Sequence, residues 1–370
     1  MRILFTVSPQ PGHLRIIRPT IQAAVRAGHD VVVATGPDLL AALQRDRVTT
    51  WGIGPAAWQM RADFGRRTRP LDPVAQWDAL SSTFHAQPAQ ARLTDLLPRL
   101  AAWPPDLVVH DISEVAGAEA AVRLGIPHVG HGVDRHGDGG WLRLPMVTEE
   151  LAAAWGTGDR WLDLTRAPFL DPSLWPGRPL PFRHVTSVQP VSDTVRPGRL
   201  PLRAQRFPYE RTVLVAVEPA HISPVLAGLS SFGLNVLLES GSVEVAQLGS
   251  LPEHVAAGQQ LPLGLALPNC LAVISGAAPD VLTAALTHGV PQLSIPVWTS
   301  RRHDAARVAR HGAGITVHPE RLQPGTIRRA LGDLLAAPAY ANAARGLSEV
   351  IHGMPTPAQA LDLLTTSVTV

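Results

Sequence analysis

The chain of 370 residues contains no lysine, so all 32 of its basic residues are arginine. Asparagine occurs only three times, and alanine, glycine and proline are abundant, which is typical of a high-GC, actinomycete-like genome. The net charge of +2 is too small to indicate a nucleic-acid-binding protein. Without lysine, any phosphate group has to be bound by arginine, backbone amides or helix N-termini.

Cysteine and long apolar runs are also scarce. The single cysteine, Cys270, cannot form a disulfide within the chain, so we expect a cytoplasmic protein rather than a disulfide-stapled secreted one. The first apolar run, Ile3–Val7, is too short for a signal peptide. The longest apolar stretch without charge, 261–279, is interrupted by proline and glycine. We therefore expect no membrane span.

The remaining sequence alternates short apolar runs with segments of helical periodicity, which predicts an α/β protein with parallel sheets. One series of strands and helices fills the first half of the chain, and a second series begins near residue 205. Between them, residues 176–208 contain seven prolines, a composition that suits a connection between domains. The sequence therefore predicts two α/β halves.

Aromatic residues are unevenly placed, since eight of the nine tryptophans precede this connection. Residues 52–100 and 135–180 carry many of them and fit the alternation of strands and helices poorly. One interpretation is an apolar pocket for a flat, hydrophobic small molecule, and the other is core packing, which applies to most individual tryptophans. The candidates for the pocket walls are Trp58, Trp77, Phe84, Trp141 and Trp155.

Several short motifs occur in a characteristic order. They are P-Q-P-G-H-L at 9–14, D-L-V-V-H-D at 106–111, L-P-E-H-V at 251–255, G-V-P-Q-L-S-I-P at 289–296 and H-D-A-A-R-V-A-R-H-G-A-G-I at 303–315. Each motif alone is weak. In this order and spacing, they resemble the bacterial natural-product glycosyltransferases of GT-B fold over nearly the whole chain.

The resemblance implies two facing Rossmann-like domains with a cleft between them. An acceptor-binding domain is expected over 1–185, a linker over 186–208 and a donor-type domain over 209–352. A final helix within 353–370 is expected to return to the first domain. The implied reaction is transfer of a sugar to a hydrophobic polyketide or macrolide acceptor, as in antibiotic biosynthesis. The co-substrate would be a UDP- or dTDP-sugar, with no cofactor and no metal, and a homodimer is left open.

The resemblance also assigns catalytic roles. His13, after the first strand, is implied as the general base, and Asp111 as the carboxylate that orients it. Asp134, in a Gly-Val-Asp run, is a second candidate base. The stretch 128–138 around Asp134 offers three histidines and two carboxylates, but their spacing matches no familiar zinc pattern.

The donor side departs from the family. The diphosphate loop, close to His-Gly-Gly-x-Gly-Thr in the family, is replaced by a segment without its histidine and threonine. An Asp-Gln pair is replaced by Ser-Arg, and a small Gly-Ser/Thr turn by Glu218 and its neighbours. The residues at the replaced loop and pair are Gly276, Ala277, Ala278, Asp280, Ser300 and Arg301.

Three functions remain open at this point. The first is sugar transfer, with Arg301, Arg302 and His303 supplying cationic contacts to an atypical donor. The alternative is an acid/base enzyme that needs no donor and catalyses a cyclisation, elimination or isomerisation on a scaffold that has lost its nucleotide site. The third is a catalytically silent partner that activates another glycosyltransferase.

Overall fold

The computed structural model describes residues 1–56, 58–59, 87–133, 167–173, 182, 184–190 and 198–368. The chain divides into two compact units. One comprises Met1–Pro190 together with Met354–Val370, and the other comprises Val191–Gly353. Each unit is built on its own parallel sheet, so the predicted α/β class with two Rossmann-like domains is confirmed.

The first sheet has seven parallel strands in the order β3-β2-β1-β4-β5-β6-β7. The order reverses between β1 and β4, which leaves a crevice at the carboxyl ends of these two strands, where open α/β sheets bind ligands. The strands are β1 (Arg2–Thr6), β2 (Asp30–Thr35), β3 (Thr49–Gly52), β4 (Leu107–Asp111), β5 (His128–His131), β6 (Pro168–Asp171) and β7 (His184–Ser187).

Helices cover this sheet because their apolar residues recur every three or four positions. In the first helix, Leu14, Ile17 and Ile21 are buried against the sheet. The helices are α1 (Pro11–Arg26), α2 (Leu40–Leu43), α3 (Gln87–Ala102) and α4 (Val115–Leu124). At Gly117 of α4, an added Cβ would lie only 2.0 Å from Oγ1 of Thr6, so glycine permits α4 to lie close to β1.

The second sheet has six parallel strands in the order β10-β9-β8-β11-β12-β13. Its order reverses between β8 and β11. The strands are β8 (Thr212–Ala216), β9 (Asn235–Glu239), β10 (Val255–Gly258), β11 (Cys270–Ser275), β12 (Gln292–Ser294) and β13 (Gly314–Thr316). The helices are α5 (Pro219–Leu229), α6 (Leu263–Ala266), α7 (Pro279–Thr287), α8 (Thr299–Arg310), α9 (Pro324–Ala336) and α10 (Pro338–Gly353).

The last helix, α11 (Pro357–Val368), belongs to the first unit. Ala360, Leu361 and Leu364 share a buried apolar cluster with Ile17 and Ile21 of α1. α11 therefore packs on the helix that begins beside the carboxyl edge of the first sheet. Within the described part of the chain, no helix is both long and apolar enough to cross a bilayer.

Candidate active site

His13 and Asp111 meet at the carboxyl edge of the first sheet. Asp111 is the last residue of β4, and His13 lies in the first turn of α1, directly after β1. Because β1 and β4 are neighbours, residues 98 positions apart come together, and His13 Nδ1 lies 2.9 Å from Asp111 Oδ2. Asp111 is fully buried, whereas the His13 side chain keeps 20% of its surface exposed.

Asp111 is held as a carboxylate by several donors. The backbone N–H of Ser8 donates to Oδ2 at 3.1 Å. The backbone N–H and the hydroxyl of Ser113 donate to Oδ1 at 2.8 and 2.7 Å. Burial alone would raise the pKa of Asp111, but the electrostatic attraction of the His13 ring and the hydrogen bonds from His13 and Ser113 outweigh it and hold the pKa well below its usual range.

This arrangement fixes the tautomer of His13. A carboxylate only accepts hydrogen bonds, so the hydrogen of the His13 ring lies on Nδ1 and is donated to Asp111. Nε2 then carries a lone pair, and it has no hydrogen-bond partner among the residues that the structure describes. A partly exposed imidazole with a free basic nitrogen and a buried carboxylate behind it is suited to accept a proton.

His131 forms a second link between α1 and the sheet. It ends β5, directly opposite Asp111 in the register. Its Nδ1 donates to the carbonyl of Gly132 at 2.7 Å, so Nε2 accepts from the hydroxyl of Thr20 at 3.0 Å. Burial lowers the pKa of His131 to about 4, which keeps the ring neutral. Thr20 lies two turns after His13, so α1 is fixed to two adjacent strands.

Asp171, at the end of β6, repeats the arrangement of Asp111. The backbone N–H of Ser173 donates to Oδ1 at 3.1 Å, and its hydroxyl donates to Oδ2 at 3.0 Å. Three consecutive strands, β4, β5 and β6, therefore end on buried ionisable residues. Sequence reasoning missed His131 and Asp171 as parts of this edge. The repeated Asp-x-Ser pattern at 111–113 and 171–173 was the signal that could have found Asp171.

A buried ion pair supports the turn after Asp111. Glu114 caps α4 by accepting a hydrogen bond from the backbone N–H of Gly117 at 2.9 Å, and Arg92 Nη1 lies 3.8 Å from its Oε1. Burial raises the pKa of Glu114, while Arg92 opposes this shift. The backbone N–H of Glu114 also donates to the Asp111 carbonyl, so the start of α4 is tied to the end of β4.

The remaining residues predicted for the acceptor side are not seen next to His13 and Asp111. The Trp58 side chain is 62% exposed. Asp134, Trp77, Phe84, Trp141 and Trp155 lie outside the described residues, so their roles stay predictions. Within the described ranges, no group of three or more His, Cys, Asp or Glu side chains is placed to hold a metal ion.

The residues predicted for the donor region lie at the carboxyl edge of the second sheet. Gly276, Ala277 and Ala278 connect β11 to α7, and Asp280 lies in the first turn of that helix. Ala277 has a left-handed backbone (φ 54°), and its N–H donates to the hydroxyl of Ser275 at 3.1 Å. Ala278 occupies the N-cap without a side-chain cap.

Arg301 lies in the first turn of α8, and its Nη1 donates to Glu218 Oε1 at 3.1 Å. The same oxygen accepts from the indole N–H of Trp298 at 3.3 Å. A Cβ added to Gly276 would lie 3.5 Å from Arg301 Nη1. The structure thus brings together three positions that differ from the family pattern and are widely separated in sequence, namely Glu218, the turn at Gly276 and Arg301. The side chain of Ser300 is not among those the structure describes.

Comparison with known proteins decides the family. Residues 223–366 match the profile described as Erythromycin biosynthesis protein CIII-like, C-terminal domain. The L-demethylnoviosyl transferase of Streptomyces niveus is 30% identical to this chain over 86% of this chain and 85% of its own length. The chain belongs to the bacterial natural-product glycosyltransferase family. The resemblance seen in its motifs is therefore confirmed.

Two further comparisons extend over almost all of this glycosyltransferase. Elloramycin glycosyltransferase ElmGT of Streptomyces olivaceus is 29% identical, covering 99% of this chain and 97% of the relative. The crystal structure of glycosyltransferase VinC in complex with dTDP matches with a TM-score of 0.76 at 24% identity and covers both chains completely. The latter match establishes the GT-B fold of this glycosyltransferase.

Proposed function

We propose that this enzyme transfers a sugar from a nucleoside diphosphate to a hydroxyl group of a hydrophobic polyketide or macrolide acceptor. The observation that carries the proposal is the 2.9 Å pair of His13 and Asp111 at the edge of the first sheet. Support for sugar transfer comes from relatives that are named transferases and from a neighbouring structure that contains dTDP. The nucleotide sugar is a co-substrate, and the homodimer stays a prediction.

In the proposed reaction, His13 is the general base. The acceptor O–H gives its proton to Nε2 of His13 while its oxygen attacks the anomeric carbon of the sugar. The bond from that carbon to the nucleotide phosphate breaks, and the nucleoside diphosphate leaves with the bonding electrons. Asp111 stabilises the imidazolium that forms, because its low pKa keeps it negative throughout.

The comparisons do not favour the alternative of a donor-independent acid/base enzyme, because the relatives are named for sugar transfer. The third possibility, a silent activator, makes a distinct prediction. A silent chain does not depend on His13 for any turnover. The proposal requires that dependence and also requires a nucleotide sugar.

The test is a transfer assay with purified protein, dTDP- and UDP-sugars, and aromatic polyketide and macrolide aglycones. We expect His13→Ala to lower kcat by about 10²- to 10⁴-fold, which is the usual contribution of a general base. His29→Ala is the matched control, because His29 precedes β2 at the opposite edge of the same sheet. It should keep wild-type kcat.

Two results would contradict the proposal. The first is conversion of an aglycone by the wild-type protein when no nucleotide sugar is present. The second is transfer that continues at the wild-type rate in His13→Ala, which would remove His13 from the chemistry.

A further inference from the structure

One carboxylate oxygen connects two separate strand ends in the second unit. Glu218 follows β8, and Trp298 and Arg301 flank the start of α8 after β12. Oε1 of Glu218 accepts from both of these side chains, at 3.3 and 3.1 Å. Trp298 is 58% exposed, and the Arg301 side chain keeps 26% of its surface exposed. The guanidinium is therefore held in place and still accessible.

The turn after β11 defines the position of the Arg301 guanidinium. Nη1 of Arg301 would lie 3.5 Å from a Cβ on Gly276, so the guanidinium lies against the backbone where β11 ends. This is also the edge where the strand order reverses between β8 and β11. Ligands of open α/β sheets bind at such a point.

The turn between β11 and α7 has few N–H groups available to bind an anion. The N–H of Ala277 is donated to Ser275, and Pro279 has no N–H at all. Asp280 adds a negative charge in the first turn of α7, where a bound anion would otherwise be stabilised by the helix. Arg301 is a cation placed over this turn, where it can attract an anion that the turn itself would hold weakly.

We infer that Arg301, oriented by Glu218, binds the diphosphate of the nucleotide sugar in place of the glycine-rich loop of the family. The inference rests on the proposed function, since it assigns the donor-binding group of that reaction. A guanidinium carries five N–H donors in a planar fork, and Glu218 engages only Nη1. The other donors can form paired hydrogen bonds with phosphate oxygens, a geometry that a lysine ammonium cannot reproduce.

The experiment is calorimetric titration of the full chain with dTDP and with dTMP, for the wild type, Arg301→Ala, Arg301→Lys and Arg310→Ala. We expect Arg301→Ala to weaken dTDP binding by about 10- to 100-fold. It should weaken dTMP binding much less, so that the preference for the diphosphate disappears. Arg310 is an exposed arginine in the last turn of the same helix, and its alanine variant should bind dTDP within about twofold of the wild type.

The two nucleotides separate a phosphate contact from general damage, because a disturbed fold would weaken both to the same extent. Should Arg301→Ala not fold, Arg301→Lys carries the test, with an expected loss of about fivefold or more for dTDP alone. Binding of dTDP to the Arg301 variants at wild-type strength overturns the inference and leaves the proposed function standing. A wild-type protein that does not bind dTDP and transfers no sugar from any nucleotide sugar overturns both.

Discussion

At the carboxyl edge of the first sheet a fully buried carboxylate, Asp111, holds a histidine, whereas at the same edge of the second sheet a partly exposed carboxylate, Glu218, holds an arginine. Both pairs lie where the strand order of their sheet reverses. The first pair matches the family's pattern, whereas the second pair stands at positions where the family has other residues. Under the proposed function, one architecture keeps the groups of its proton-transfer side and changes those of its nucleotide side.

Burial makes the two pairs unequal in strength. Asp111 is removed from water and accepts from Ser8, Ser113 and His13, so its interactions are little screened. Glu218 has a side chain that is 35% exposed, and water and salt weaken its attraction for Arg301. We therefore expect the first pair to matter for both stability and turnover, and the second to matter mainly through ligand binding.

The largest effect should come from removing the buried charge. Asp111→Asn keeps the shape of the side chain but replaces one acceptor oxygen with an amide, so we expect kcat to fall by about 10²- to 10⁴-fold. The free energy of unfolding should fall by about 1–3 kcal/mol. Glu218→Gln is the matched change in the second unit, and it should alter the free energy of unfolding by less than about 1 kcal/mol. Guanidinium unfolding and steady-state kinetics measure these quantities, and equal losses of stability would break the comparison.

An intermediate effect should appear in the pH dependence of stability. Burial lowers the pKa of His110 to about 3 and that of His131 to about 4, from an ordinary value of 6.5, and both lie in the first sheet. Between pH 6.5 and 4, these histidines bind protons in the unfolded chain but not in the folded chain. The free energy of unfolding is therefore greatest above pH 6.5 and falls as the pH is lowered. Each histidine should contribute a loss of about 2 kcal/mol between pH 7 and 5.

Hydrogen exchange at pH 7 and pH 5, read separately for the strands of each sheet, measures this loss by location. Protection should fall more in the first sheet than in the second, and His131→Gln should reduce the difference. A uniform loss of protection in both sheets would contradict the assignment to these two histidines.

The smallest effect concerns the second link of α1 to the sheet. Thr20→Val removes the hydroxyl that donates to His131 Nε2 and leaves a buried acceptor without its partner, at a cost of about 1 kcal/mol or more. Because α1 also carries His13, we expect kcat to fall by a few-fold, and Thr20→Ser should restore it. Thr283→Val, a buried threonine of α7, is the control for loss of a buried hydroxyl and should leave kcat unchanged.

Much of the fold could be read from the sequence because central strands are continuous apolar runs. β1, β2, β8 and β11 are buried along nearly their whole length, and their apolar residues mark them clearly. One strand that the pattern missed, β6, lies inside the first sheet, but β3 and β7, which it also missed, lie at the two edges of that sheet. β3 reads Thr-Thr-Trp-Gly and β7 reads His-Val-Thr-Ser, and neither contains a buried residue, so hydrophobicity gives little signal there.

The candidate site also has one part that could be predicted from the sequence and one that could not. His13 and Asp111 were predicted as a pair from a resemblance, and their approach follows from two neighbouring parallel strands that end at one edge. The shared contact of Trp298 and Arg301 with Glu218 was not predictable in this way, because it depends on side-chain directions across 80 residues of sequence. The absence of the family's residues at these positions indicated that the donor side differs from the family. The distances in the structure show which side chains lie there instead.

The position of α11 has a consequence for how the chain matures on the ribosome. Ile17 and Ile21 of α1 share a buried apolar cluster with Leu361 and Leu364, which are synthesised only after the whole second unit. At usual rates of translation, α1 waits on the order of half a minute for this cover. The first unit therefore completes its folding only after the second has been made, and the helix that carries His13 gains its cover long after it has been translated.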